Sequence, residues 1–334
     1  MSPPNHPAAP ATTAVSPRPP SPLRVRQAAA APEQCLLDVR FAPQPGGQPA
    51  AEPDPVAPVR VPLETLHGDR EVWLVDGPVQ AGRAGSFAFR QGGDWLALSV
   101  ARPAPARSIG AETRRLYREA LQLIAASEFP HLVRIWNYLP DINGGCGDAE
   151  TYRQFCAGRA TALAELNLDP AALPAASALG SDPGQPLQLT FLASRCPAHH
   201  LENPRQVSAY RYPPRYGPQP PTFARASVIG RRLLASGTAA IVGHESQHPG
   251  DVDRQLRCTA DNLHLLMDHA CAEHDARWVD AVYARVYLRD RAHLPVVRDA
   301  LACDLPRLAG AVFLRADVCR SELLVEVELT GVLR

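Results

Sequence analysis

The sequence contains no uninterrupted apolar run of about 18 residues, which excludes an ordinary membrane-spanning helix. It also lacks net charge, with 34 Lys plus Arg against 34 Asp plus Glu. With no basic stripe present, that balance argues against nucleic acid as a partner and leaves any steering to local charge. The eight cysteines, at 35, 146, 156, 196, 258, 271, 303 and 319, form no C-x-x-C pair. Structural zinc usually takes such pairs, and disulfide frameworks belong to short secreted chains. Free, mostly buried thiols in a reducing cytoplasm are therefore expected. Residues 1–33 are rich in Pro and Ala and lack the apolar core of a secretory leader, so a disordered leader is expected, with organelle targeting as the weaker alternative.

The 334 residues, 46% of them apolar, suffice for one large or two medium domains. Leu37, Val39 and Phe41 alternate with Asp38 and Arg40 as in a strand, and 42–58 reads as loop. Strand-like runs follow at Val59–Val61, Val72–Val75, Phe87–Phe89 and Trp95–Val100. Ser108 is placed to cap a helix ending before Pro130. Leu132–Tyr138 should be a strand with Arg134, Trp136 and Tyr138 on one face and Val133, Ile135 and Asn137 on the other. A second helix is expected over about 149–166, where Tyr152, Phe155, Arg159 and Leu163 recur at helical spacing. After residue 225 the pattern returns: strands at 226–230 and 233–242, a helix over 251–274, a strand at 282–288, a helix from Pro295, and strands at 312–315 and 324–330. Strands alternating with helices in this way indicate an α+β fold, and the recurrence suggests two related halves.

Residues 201–225 differ in texture. Five prolines between 213 and 221 forbid a helix, and Tyr210, Tyr212, Tyr216 and Phe223 interleave with Arg211, Arg215 and Arg225. Lining a pocket and packing across the surface are equally open for this stretch.

Several motifs carry chemistry. Val325, Val327 and Leu329 alternate with Glu326, Glu328 and Thr330, so a strand turns two carboxylates onto one face. A carboxyl beside an apolar wall can hold and donate a proton at neutral pH. Cys319, seven residues before Glu326, is read as a pocket wall with a weak donor rather than a nucleophile. His244-Glu-Ser-Gln-His248 matches the H-E-x-x-H zinc pattern, but it stands between Gly243 and Pro249-Gly250, where the required helix is not expected. Gly144, Gly145 and Gly147 lack the Lys-Ser/Thr of a phosphate loop and read as turn residues. The small residues of Ser236-Gly-Thr-Ala-Ala fit either substrate approach to the backbone or tight strand packing. Arg134, Arg159, Arg215, Arg225 and Arg285 lie in apolar or aromatic runs, and a buried guanidinium needs an anion. Several around one cleft would favour a dicarboxylate.

The stretches Val133-Arg-Ile-Trp-Asn-Tyr-Leu-Pro-Asp-Ile-Asn, Tyr152-Arg-Gln-Phe-Cys-Ala-Gly-Arg and Gln206-Val-Ser-Ala-Tyr-Arg-Tyr-Pro-Pro-Arg-Tyr-Gly-Pro closely resemble the chorismatases. Phe223-Ala-Arg-Ala, Ser236-Gly-Thr-Ala-Ala-Ile-Val-Gly-His-Glu-Ser and Cys319…Glu326 extend the resemblance over most of 34–334. It implies two RidA/YjgF-like domains of mixed sheets packed by helices: a divergent N-terminal domain (34–200), a pocket-lining connector (201–225) and a catalytic C-terminal domain (226–334). It also implies Glu326 as the catalytic acid, and Cys319 as the mark of the subgroup that forms hydroxybenzoate rather than the cyclohexadienediol acid. Tyr152, Tyr210, Tyr212, Ala239, Ala240 and Glu328, with the five arginines, are the expected substrate-binding set. Chorismate is the implied ligand, and neither metal nor cofactor is required. 3-Hydroxybenzoate plus pyruvate are the expected products, 4-hydroxybenzoate a coproduct, and a pigment, quinone or secondary metabolite the downstream use. Hydrolysis to the diol acid and a non-catalytic RidA-like metabolite-binding role are the alternatives. Fused domains would fill the surfaces that smaller relatives use for trimer contacts, so a monomer with a trimer-like interior is expected.

Overall fold

The computed structural model describes residues 19–28, 33–43, 54–103, 108–304 and 310–334. Two large mixed sheets dominate. The first has six strands, in the order Ala175–Ser181, His131–Pro140, Leu187–Ser194, Trp95–Arg102, Phe87–Gly92 and Gln80–Ala84. The second runs Ala311–Arg315, Val279–Leu288, Val325–Leu333, Arg232–Ala235, Ala226–Ile229 and His199–Leu201, with Glu64–His67 added at the Ala311–Arg315 edge.

These orders are the same topology written twice. Each half has three antiparallel strands, a helix, a strand, a second helix, a strand parallel to the previous one, and a last strand inserted centrally. A parallel pair needs a crossover long enough for a helix. Helix α2 (Thr151–Glu165) supplies it in the first half, and α4 (Leu294–Asp304) in the second. The other two helices, α1 (Ile109–Ala125) and α3 (Val252–Glu273), precede the paired strands. The equivalence extends to register: Gln188 and Thr190 lie opposite Tyr138 and Trp136, as Glu326 and Glu328 lie opposite Tyr287 and Arg285.

The helices start where capping chemistry places them. Ser108 accepts from the Ala111 amide at 3.3 Å, and Asp251 from the Arg254 amide at 3.0 Å. Each helix pair covers the outer face of its sheet. Leu116, Ala120, Phe155 and Leu163 pack on Leu98, Ile135 and Leu189. Leu256, Leu263, Leu266 and Leu301 pack on Val286, Val325, Val327 and Leu329. Helices α1 and α2 approach until a Cβ on Gly158 would collide with the Gly110 carbonyl, so glycine is required there.

The inner faces meet around a third sheet of four strands, ordered Leu23–Gln27, Arg70–Val75, Cys35–Phe41 and Val59–Val61. Leu37, Val39, Phe41 and Trp73 from it, Trp136 and Tyr138 from the first large sheet, and Tyr283 and Tyr287 from the second share one core. Leu23–Gln27 was expected to belong to the leader. It is instead a strand paired with Arg70–Val75, because burying Leu23 closes the edge of the small sheet. Residues 1–18 and 29–32 of the expected leader lie outside the described residues.

Two local expectations also change. The run 233–242 breaks into Arg232–Ala235, Thr238–Ala239 and the hairpin strand Ile241–Val242, paired with Glu245–Ser246. Val133 turns to the inner core with Trp136, not outward with Ile135, because a bulge at Leu192–Ala193 shifts the register.

Candidate active site

The Val325–Leu333 strand keeps the alternation read from the sequence. Val325, Val327 and Leu329 face α3 and α4, while Glu326, Glu328 and Thr330 turn inward. Thr238 and Ala239 pair with Val327 and Glu326 at the start of this strand. Gly237, just before them, has no side chain because a Cβ would strike the Glu326 Oε1 atom. The carboxyl thus enters a cavity of ≈ 240 Å³ between the two halves.

The walls come from four places. Helix α2 contributes Tyr152, Arg153 and Arg159, and the adjacent strand Ala176, Ser177 and Ala178. The Pro-rich connector contributes Tyr212, Tyr216, Phe223 and Arg225. It holds its shape through two short 3-10 turns, Ala209–Arg211 and Pro214–Tyr216, the second begun by a proline whose fixed φ suits it. Gly237, Ala239, Ile241, Cys319, Arg320, Glu322 and Glu326 close the C-terminal side.

The two inward glutamates of the last strand have opposite electrostatics. Burial, followed by the charge of Glu328, raises the pKa of Glu326 from 4.5 to about 8, against the pull of Arg134 and Arg225. Among the described residues its carboxyl forms no hydrogen bond, so nothing but the cavity competes for its proton. Glu328 is equally buried, but Arg134 and Arg285 reverse the effect of burial and hold it below the usual carboxylate value. Its Oε2 lies 3.1 Å from Arg134 and accepts from Trp136 Nε1 at 2.8 Å, while Oε1 accepts from Tyr287 at 2.8 Å. The result is a protonated acid beside a fixed anion. Burial and the neighbouring Glu326 charge push the Cys319 thiol up to about 12, so it stays protonated and non-nucleophilic at neutral pH.

Around the acid the cavity is cationic. Arg159 is 2% exposed and lies 5.0 Å over the Phe155 ring. Its Nε has no hydrogen-bond partner, and among the described residues no carboxylate lies at ion-pair distance. Arg320 lies 3.9 Å over Tyr216 and donates to the His244 carbonyl at 2.9 Å and Ser246 Oγ at 3.0 Å, again without a carboxylate partner among the described residues. Arg225 donates to Tyr212 at 2.8 Å and to the Val207 carbonyl at 2.9 Å, with Glu202 only at 4.0 Å. Arg153 is compensated by Glu150 at 3.0 Å. A buried guanidinium without a protein anion is a site prepared for an anionic ligand.

Of the residues singled out in the sequence, Glu326, Cys319, Tyr152, Arg159, Tyr212, Arg225 and Ala239 converge on this cavity. Others do not line it. Arg134, Arg285 and Glu328 lie behind it between the sheets, because protein carboxylates already satisfy the two arginines. Ala240 does not line the cavity; it is fully buried in a small apolar cluster that also holds Ala239, Cys258, Val318 and Leu323. Tyr210 stands beneath the Arg211 guanidinium, 5.6 Å away. Arg215 is half-exposed and binds Glu245 at 2.9 Å and His244 Nδ1 at 2.8 Å. The H-E-x-x-H run forms a tight hairpin, so its histidines share no helical face.

Sequence reasoning passed over Arg153, Ser177, Gly237, Arg320 and Glu322. Arg320 follows Cys319 directly and Gly237 lies in the small-residue run, so both had a signal. Ser177, which accepts from Arg134 at 2.5 Å and from the Gly237 amide at 2.8 Å, had none.

Residues 71–193 match the family model described as "Chorismatase FkbO/Hyg5-like, N-terminal". A 3-hydroxybenzoate synthase of Streptomyces hygroscopicus is 35% identical over 297 residues, covering 84% of this chain and 85% of that protein. A chorismatase of Streptomyces rapamycinicus is 36% identical over 271 residues, 77% of this chain and 80% of its own length. The crystal structure of a chorismatase superposes with a TM-score of 0.82 at 32% identity, over 93% of this chain and 98% of the other. Sequence similarity over most of the length and a shared fold lead to one conclusion: this chain belongs to the chorismatase family of enzymes.

Proposed function

We propose that the protein converts chorismate to pyruvate and 3-hydroxybenzoate by proton transfer from Glu326. The observation that carries this reading is a carboxyl that keeps its proton at neutral pH inside a cavity where Arg159 and Arg320 have no carboxylate partner among the described residues. Arg159, Arg225 and Arg320 suit the two carboxylates of chorismate, and Tyr152, Tyr212 and Phe223 suit its ring.

Neutral Glu326 gives its proton to the terminal methylene of the enolpyruvyl group, forming the C–H bond of a methyl group and an oxocarbenium ion at the ether carbon. The ring 4-hydroxyl then attacks C3, the C3–O bond breaks, and its electrons complete the ketone of pyruvate. The hydroxyl proton returns to the Glu326 carboxylate. The resulting arene oxide opens and aromatises to 3-hydroxybenzoate, and opening at the neighbouring carbon yields 4-hydroxybenzoate as a minor product. No redox partner, metal or water enters this balance. Glu328, tied to Arg134, Trp136 and Tyr287, contributes as a fixed charge that keeps Glu326 protonated rather than as a contact to the cation. Cys319 and Ala239 narrow the space beside the acid and so disfavour attack by water.

The expected assembly is a monomer, supported by the third sheet, which covers with this chain's own strands the inner surface of the two large ones. A cytoplasmic enzyme is the matching expectation, and no helix among the described residues is long and apolar enough to cross a membrane.

Turnover in heavy water tests the reaction. One deuterium should appear in the pyruvate methyl group, with a hydroxybenzoate released in equal amount. Pyruvate without deuterium, under conditions that exclude wash-out, refutes proton transfer to the alkene. A diene acid in place of the aromatic product refutes the arene-oxide route.

A further inference from the structure

The most buried carboxylate of the small sheet lies outside the cavity. Glu71, on the Arg70–Val75 strand, has no exposed surface. Its Oε1 accepts from Trp73 Nε1 at 2.7 Å and from Arg285, and its Oε2 accepts from Arg285 Nε at 3.0 Å. Arg285 extends the chain inward, donating to Tyr138 at 2.7 Å and standing 3.8 Å from Glu328 Oε2. Arg134 lies on the far side of Glu328, at 3.1 Å. Four buried charges therefore alternate from the small sheet to the last strand: Glu71, Arg285, Glu328 and Arg134. The same strand face carries Glu328 and then Glu326.

We propose that Glu71 is a positioning residue for the reaction: by neutralising Arg285 it leaves the charge of Glu328 free to keep Glu326 loaded with its proton. The inference rests on the chorismatase reading for its kinetic readout alone. Without Glu71, the nearest anion to Arg285 is Glu328, whose field at Glu326 is then partly cancelled. The charges that act on Glu326 are Glu328 from its own strand, Arg134 from the six-stranded sheet and Arg225 from the connector. Tyr152 and Arg159 from α2, with Cys319, Arg320 and Glu322 from the preceding loop, share its cavity. Those facing Glu71 are Arg285 and Tyr283 from one strand, Trp73 from its own, and Tyr138 through Arg285. A merely structural ion pair would alter stability and leave the titration of Glu326 in place.

The test compares the parent with Glu71→Gln, Glu71→Asp and the neutral pair Glu71→Gln/Arg285→Met. Two readouts are taken on each: the alkaline limb of kcat/KM for chorismate, and the pH at which the infrared carbonyl band of protonated Glu326 disappears, assigned by difference from Glu326→Gln. Glu71→Gln should move limb and band down by about one pH unit, the scale of one uncompensated buried charge. Glu71→Asp keeps the charge and should stay at the parental value. The neutral pair should return to the parental value or above it. A folded Glu71→Gln protein with limb and band unmoved overturns the proposal, as does a Glu71→Asp shift of equal size. If Glu71→Gln does not fold, the neutral pair decides, and a band below the parental pH overturns the proposal. If the parent fails to consume chorismate while the bands shift as described, the chorismatase reading falls and this inference stands.

Discussion

Replacing Glu326 with glutamine should stabilise the protein while it abolishes turnover. In the folded chain this carboxyl holds its proton up to about pH 8, whereas in the unfolded chain it releases it near 4.5. Between those values the folded state binds more protons, so stability falls as pH rises through the window. At pH 7 the cost to the parent is about 3 kcal/mol, and above pH 9 it approaches about 5 kcal/mol. Glutamine has the shape of the protonated acid and does not titrate, so Glu326→Gln escapes this cost. For a chain of 334 residues, an unfolding entropy of about 2.1 cal/mol/K per residue turns 3 kcal/mol into a Tm increase of roughly 4 °C. Calorimetry of both proteins at pH 4, 7 and 9 measures it. The Tm gap should be absent at pH 4, clear at pH 7 and widest at pH 9. A gap that does not change with pH would mean that Glu326 titrates normally, and the account of the acid would fail.

Gly237→Ala should fold, since only the mobile end of Glu326 has to yield, and lose about 100-fold in kcat through displacement of the acid. Arg159→Met should raise KM and lower kcat/KM about 100-fold, with no loss in Tm, because the buried cation removed has no carboxylate partner among the described residues. Arg285→Met leaves Glu71 buried and unpaired, so chemical denaturation should show a loss of about 3–5 kcal/mol. Cys319→Val should shift product from 3-hydroxybenzoate toward the diene diol acid, read by chromatography of a single incubation, and an unchanged ratio removes Cys319 from control of the branch.

The acid and its strand were legible because a period of two is a local property: Val325 to Thr330 state both faces without reference to any other part of the chain. The same holds for the Ser108 and Asp251 caps and for the connector that prolines keep out of a helix. The roles of the arginines were not legible. A buried guanidinium needs an anion, but sequence does not say whether that anion is ligand or protein. For Arg285 it is Glu71, 214 residues away, and for Arg134 it is Glu328. Among the described residues Arg159, one of five similar candidates, has no carboxylate partner, a consequence of how α2 packs. The face of Val133 was misjudged for a related reason, since a bulge depends on the partner strand. That Ala239 stands beside the acid follows from its pairing with Glu326, a partner 87 residues on that local sequence does not name.

Writing one topology twice within a single polypeptide frees each copy from the sequence of the other. In a ring of identical subunits every cleft carries the same side chains, so a change that improves a donor also appears where an acceptor is needed. Here the second copy has Glu326 and Glu328 where the first has Gln188 and Thr190, and the first offers Trp136 where the second has Arg285. Acids and the groups that hold them were thus able to diverge on opposite sides of one seam. The joined halves can maintain a lone, asymmetric proton donor that a symmetric assembly would have to build in every cleft.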